Sequence, residues 1–345
     1  MRITSLLTKR ALSAALFVLL LSVVGMKNAL AQNQVATLQH NDTITGVFYG
    51  QNAYSSAYNA AVDGDVITLS SGTFAGINVS KSITIRGAGC VYDSLTHVLP
   101  TIIPGDFAIR QNNVSFEGIW FNGNVNISDY STTYSNISFD KCNINTVLNG
   151  YAGYWCPRMF CQFSNCIVKN FASRYFHGTS IVNSVVKFTE NVHEDIYNLT
   201  SIYNSVIVFA DGKPVKNMIA YNSVIAIDSV SSVSNCTFFN TIAIQTGVSS
   251  LFEGQTTQNV MTADSYSDVF ETFDGTLSYE NIYQLKNDIA TSFLGHDGTE
   301  VGIYGGLMPY KTRPSYMILK SINVAGQTNE NQKLNVEMEL LDPND

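Results

Sequence analysis

The chain has 345 residues, a net charge of −8 and a charged fraction of only 13%. This acidic balance excludes nucleic acid and anionic membrane as electrostatically favoured partners. Six cysteines in so long a chain exclude a disulfide-stapled scaffold, and no Cys/His spacing matches a zinc site.

Residues 1–31 read as a secretory signal. Arg2, Lys9 and Arg10 form its basic end, Ala11 to Gly25 its apolar run, and Ala29-Leu30-Ala31 a small-x-small cleavage site. The run is short for a membrane span, and no cysteine follows it closely for lipidation. The expectation is a secreted, periplasmic or cell-surface protein with no transmembrane segment after cleavage. The mature chain is more acidic still, because the leader carries basic residues and no acid.

The Ala-rich stretch Ala53 to Val62 reads as a short helix. A tight Asp63-Gly64-Asp65 turn and a strand from Val66 follow it. Then one pattern recurs. It is weak in Ile85-Arg86-Gly87-Ala88, in Phe116-Glu117-Gly118-Ile119 and in the unit from Phe139 to Ile144. It is strong in five units centred on Asn165, Asn183, Asn204, Asn222 and Asn240, spaced 18, 21, 18 and 18 residues apart. A short fixed period of β-formers around a turn residue means a solenoid.

The columns of the repeat sort by face. Two before the asparagine stand Phe163, Ile181, Ile202, Ala220 and Phe238. One after it stand the small residues Cys166, Ser184, Ser205, Ser223 and Thr241. Three after it stand Val168, Val186, Ile207, Ile225 and Ala243. Strand side chains alternate, and a turn resets the alternation, so these three columns fit a coil interior. The asparagine sits where the chain turns, since Asn tolerates a left-handed backbone.

Stacked in this way, Asn183, Asn204 and Asn222 resemble the asparagine ladder of a right-handed parallel β-helix. In that arrangement the amides turn into the coil and bond from turn to turn. The helix, turn and first strand resemble the capped entrance of pectate-lyase-like β-helices. His296 to Gly306 resembles the closing segment of secreted β-helix proteins of Gram-negative bacteria, although Glu300, Val301 and Ile303 depart from its wording. The resemblance implies an all-β fold: a right-handed parallel β-helix with an N-terminal cap over residues 32–306. A linker and C-terminal β-hairpin follow over 307–345, with strands Tyr316 to Val324 and Lys333 to Leu341. Cys142 and Cys166 share an interior column as stacked free thiols, whereas Cys156 and Cys161 either close a loop disulfide or stay free.

Chemistry on such a coil sits outside it, in a groove floored by strands and walled by loops. The outward column one before the asparagine reads Arg86, Glu117, Asp140, Ser164, Val182, Tyr203, Tyr221 and Phe239. Glu117 and Asp140 fall on successive rungs, about 5 Å apart. They suit a Ca²⁺ site, the two carboxylates of a retaining glycosidase, or an edge paired to Arg86. Tyr203, Tyr221 and Phe239 form an aromatic stripe, either stacking on sugar rings or buried under a covering segment. The outward stripe Ile167, Val185, Val206, Val224 and Ile242 must itself be covered, by residues after Gln245 or by the hairpin.

Arg174, His193 and Lys213 stand at nearly equal offsets after their asparagines and emerge from loops on one side, with Lys169 and Lys187 stacked. Arg174, Lys187, His193 and Glu194 would supply the base and the carboxylate-neutralising charge of a polysaccharide lyase. The insertion carrying Tyr151, Tyr154, Trp155, Arg158 and Phe160 is either a binding wall or a flap. The signature segments of polygalacturonases and pectate lyases are absent from the sequence. The reading is a monomeric, non-catalytic protein binding glycan or a surface protein, without cofactor unless Ca²⁺. A lyase or glycosidase acting on uronate polymers is the alternative, and a structural adhesin module the third reading.

Overall fold

The computed structural model describes residues 34–127, 132–148, 159–172, 176, 178–189, 199–210, 212, 214–227, 230, 232–245, 254–313, 318–328 and 334–341. Two stacks of parallel strands run along it. The first sheet stacks Val66–Leu69, Thr84–Arg86, Val114–Glu117, Tyr134–Asp140, Met159–Ser164, Ser180–Val182, Thr200–Tyr203 and Pro214–Tyr221. The second stacks Gly72–Thr73, Thr101–Ile103, Ile119–Ile127, Asn143–Leu148, Ile167–Phe171, Val185–Phe188, Val206–Phe209 and Val224–Ala226. The strand Ser232–Ile244 bends across both sheets, and the chain is a β-solenoid of about eight turns.

The bend between the two sheets is the asparagine column. Asn165, Asn183, Asn204, Asn222 and Asn240 hold φ between +45° and +52°, and Lys141 and Gly118 take the same left-handed conformation one and two rungs earlier. The interior columns are as the repeat predicts. Phe163, Ile181, Ile202, Ala220 and Phe238 are sealed, as are Val168, Val186, Ile207, Ile225 and Ala243. Phe116, Phe139 and Phe163 stack inside the coil, with successive ring centroids 5.4 Å apart.

The ladder itself is built differently from the expectation. The asparagine amides point away from the interior, because a left-handed residue at the bend directs its side chain outward from the corner. The small residue after each asparagine forms the ladder instead. The backbone N–H of Cys166 donates to Ser184 Oγ at 2.9 Å, that of Ser184 to Ser205 Oγ at 3.2 Å, and that of Ser205 to Ser223 Oγ at 3.1 Å. Each hydroxyl donates in turn to the carbonyl two residues before it, at 2.7 Å. Amide stacking survives on this column in one place, where Asn259 Nδ2 donates to Asn240 Oδ1 at 2.7 Å.

A second left-handed column lies five residues before the first: Asn113, Asn136, Gly178, Asn217 and Asn235. Its amides do bond from rung to rung, Asn136 Nδ2 to Asn113 Oδ1 at 2.9 Å and Asn235 Nδ2 to Asn217 Oδ1 at 2.6 Å.

The two ends of the coil differ. At the start, an antiparallel pair, Val35–His40 with Thr43–Tyr49, adds antiparallel to Val66–Leu69. The helix Ala53–Ala60 buries Ala53, Tyr54, Ala57 and Tyr58 beside them. At the far end, Thr256–Ala263 pairs with Ser232–Ile244 as a further rung. Of its residues in register with the interior, Thr257 and Thr262 are polar and exposed, and Val260 is half-buried against the core, so the last rung presents a largely polar end. Ile318–Thr328 and Leu334–Leu341 pair antiparallel as the expected hairpin, the first strand starting two residues later and ending four residues later than the sequence suggests.

Cys142 and Cys166 are free, buried thiols directed at backbone carbonyls. Cys161 is also free and buried; Cys156 lies outside the described residues.

Candidate functional site

The two outer faces are treated differently by the rest of the chain. On the second sheet, Ile167, Val185, Val206, Val224 and Ile242 are at most 1% exposed. They are sealed by Val269, Phe270, Phe273, Tyr283, Leu285, Val301 and Ile303. The covering segment is the one expected after Gln245. It also places Tyr279 against Trp120, centroids 5.5 Å apart, with the Lys169 ammonium 4.0 Å above the Tyr279 ring.

The end of this cover runs back along the bend as a strap. His296 N–H donates to Asn222 Oδ1 at 2.9 Å. Asn183 Nδ2 donates to the carbonyls of Ile303 at 3.0 Å and Gly305 at 2.8 Å, and Lys311 N–H donates to Asn165 Oδ1 at 3.2 Å. Gly306, at φ +81°, packs directly against the Asn204 amide, with no room for a side chain. Arg313 then forms an ion pair with Asp93 at 3.1 Å. The outward asparagines are thus the track on which the strap is fixed.

The described residues leave the outer face of the first sheet open. The column Arg86, Glu117, Asp140, Ser164, Val182, Tyr203, Tyr221 and Phe239 is in register from rung to rung, as expected. Tyr203 and Tyr221 are parallel within 2° with centroids 5.2 Å apart; Tyr221 and Phe239 are within 18° at 4.9 Å. Those separations exceed the contact spacing of about 3.5 Å, so the rings overlap with an offset, like roof tiles. Each ring leaves an edge and part of a face to solvent, and Tyr203 at the end of the row is 41% exposed.

Further toward the start, this face becomes a shallow groove of about 550 Å³. Ser115, Ser138, Gln162 and Ser180 floor it, in register three residues before the bend. The amides of Asn113 and Asn136 line one rim, and the Phe160 ring stands over Gly178. Ser115 and Ser138 hydroxyls bond at 2.8 Å. Sequence reasoning passed over this column, although the Asn or Gly five before the bend marks its rim. Phe160 is the member of the aromatic insertion that the structure places at the groove; Tyr151, Tyr154, Trp155 and Arg158 lie outside the described residues.

Beside the floor lie Glu117 and Asp140. Arg86 Nε pairs with Glu117 Oε2 at 3.3 Å. Asp140 Oδ1 accepts from Asn165 Nδ2 at 3.3 Å. Burial pushes the Asp140 carboxyl above the ordinary carboxylate range; the Asn165 hydrogen bond and the Lys141 charge oppose this, and the Glu117 charge adds to it. Among the described residues, no group of three or more His, Cys, Asp or Glu converges on a metal position.

Of the lyase constellation, Lys187 is half-buried on the second sheet, away from the groove. Arg174, His193, Glu194 and Lys213 lie outside the described residues. Lys169 and Lys187 do not pair across rungs, because the register shifts between Val168 and Phe171. No helix among the described residues is long and apolar enough to cross a membrane. No protein-family model, curated protein or solved structure matches this chain.

Proposed function

We propose that the open face of the first sheet binds glycan, and that the protein is a secreted, non-catalytic binding module of the right-handed, pectate-lyase-like kind. One observation carries the reading. The segment from Val269 to Ile303 seals the outer face of the second sheet, whereas the described residues leave the neighbouring face open, with tiled aromatics beside a floor of hydroxyls and amides. That combination suits sugars: ring faces and edges meet C–H surfaces, and neutral donors and acceptors meet hydroxyls. A non-catalytic role is favoured because Glu117 is held by Arg86 and Asp140 by Asn165. The signal-like leader and the acidic, weakly charged composition agree with a partner outside the cytoplasm.

The test is equilibrium binding of the purified chain to a polysaccharide panel, with product analysis of every mixture. Binding without product is expected. Tyr203→Ala and Tyr221→Ala should each lower affinity by about threefold to tenfold. Hydrolysed or unsaturated product would make the protein a glycosidase or lyase. Failure of every glycan to bind would leave a surface-protein partner or a structural adhesin.

A further inference from the structure

We infer that the glycan held on this face is uncharged and lies along the solenoid axis. The inference rests on the glycan-binding reading above and narrows it. Three features carry it.

First, among the described residues none that lines the groove is ionisable at neutral pH; they are serines, a threonine, asparagines, a glutamine, a glycine and apolar or buried thiol side chains. A site for uronate or sulfated chains needs cations, which neutralise each anionic group as it leaves water. Second, Arg86, a described cation two residues from the groove residue Thr84, is committed to Glu117. Third, of the two carboxylates on successive rungs beside the floor, Glu117 is offset by Arg86, and Asp140, held by the neutral Asn165 amide, is the like charge that a carboxylate ligand would meet. The floor residues Ser115, Ser138, Gln162 and Ser180 repeat once per rung, and Tyr203, Tyr221 and Phe239 repeat along the same direction. A polymer running along the axis meets an equivalent polar or aromatic group at each step; one running across the strands meets only two columns.

The experiment compares matched ligands: neutral hexose oligosaccharides and their C6-carboxylate counterparts of the same linkage and length. Binding is measured with the full chain and with Asp140→Asn, at low and high salt. The neutral series should bind, with affinity rising with length over successive sugars. The carboxylated partners should be weaker by about tenfold or more at low salt. High salt should narrow that gap, and so should Asp140→Asn, because both weaken the repulsion. Preferential binding of the carboxylated series, lost at high salt, overturns the inference while leaving the glycan reading in place. The same holds for neutral binding that does not strengthen with length. No binding by either series overturns both.

Discussion

The residue that holds a rung together is the serine after the bend, not the asparagine at it. Ser205 Oγ receives the Ser184 N–H, out of water, and donates to the Tyr203 carbonyl. Removing the hydroxyl strands a buried backbone donor, at a cost of about 1–3 kcal/mol. Ser205→Ala should therefore lower the melting temperature although it adds no volume and removes no apolar contact. An unchanged melting temperature would show that the hydroxyl column is incidental. Glu300 predicts the opposite sign. Its carboxyl sits in the cover with Oε1 unpartnered, and burial raises it above the ordinary carboxylate range. A raised folded-state acid favours folding only while protonated, so its penalty grows as pH rises through the interval between unfolded and folded values. Glu300→Gln should stabilise the protein at neutral pH and change little under acid conditions, where both states carry the proton. Thermal melts at the two pH values check this, and equal shifts at both would refute the assignment.

At the scale of elements, the repeat made the coil legible because its chemistry is periodic. The interior columns, the outward apolar stripe and the need for a cover all follow from which positions are apolar and how strands alternate. The strap was not legible in the same way. It is irregular backbone, and what binds it to Asn183 are the carbonyls of Ile303 and Gly305, which no side-chain pattern reveals. The asparagines looked like an inward ladder because position alone does not distinguish an amide facing the core from one facing a strap. The groove was half-legible. Its floor reads as ordinary solvent-facing Ser and Gln, while its rim is a real asparagine column that Phe160 and Leu199 interrupt. The cover gives the sharper test. Truncation after Ala263 keeps the last rung but bares Ile167, Val185, Val206, Val224 and Ile242. The truncated chain should bind a hydrophobic dye or aggregate, and a soluble, dye-silent product would mean the stripe tolerates water.

The whole molecule combines two kinds of order that predict different unfolding. A solenoid is stabilised by contacts between neighbouring turns, so its ends can open without its middle. The strap adds ties of another range: Asn183 to Ile303 across 120 residues, Lys311 to Asn165 across 146, and Arg313 to Asp93 across 220. Opening any rung from Asn165 to Asn222 disturbs a segment that also holds the other rungs, which penalises partly opened states. The intact chain should thus unfold as one unit in calorimetry, with equal calorimetric and van't Hoff enthalpies. Gly306 is the place to cut the coupling without touching the coil. Its φ of +81° and its contact with the Asn204 amide leave no space for a side chain, so Gly306→Val should lift the strap locally. The serine ladder after the bend and the strand pairing keep their hydrogen bonds in that variant. Its transition should broaden or split, with the van't Hoff enthalpy falling below the calorimetric one, and the melting temperature of the later phase should move least. A variant that melts earlier but as sharply as the parent would show that neighbouring turns alone carry the cooperativity, and that the strap only covers the bend.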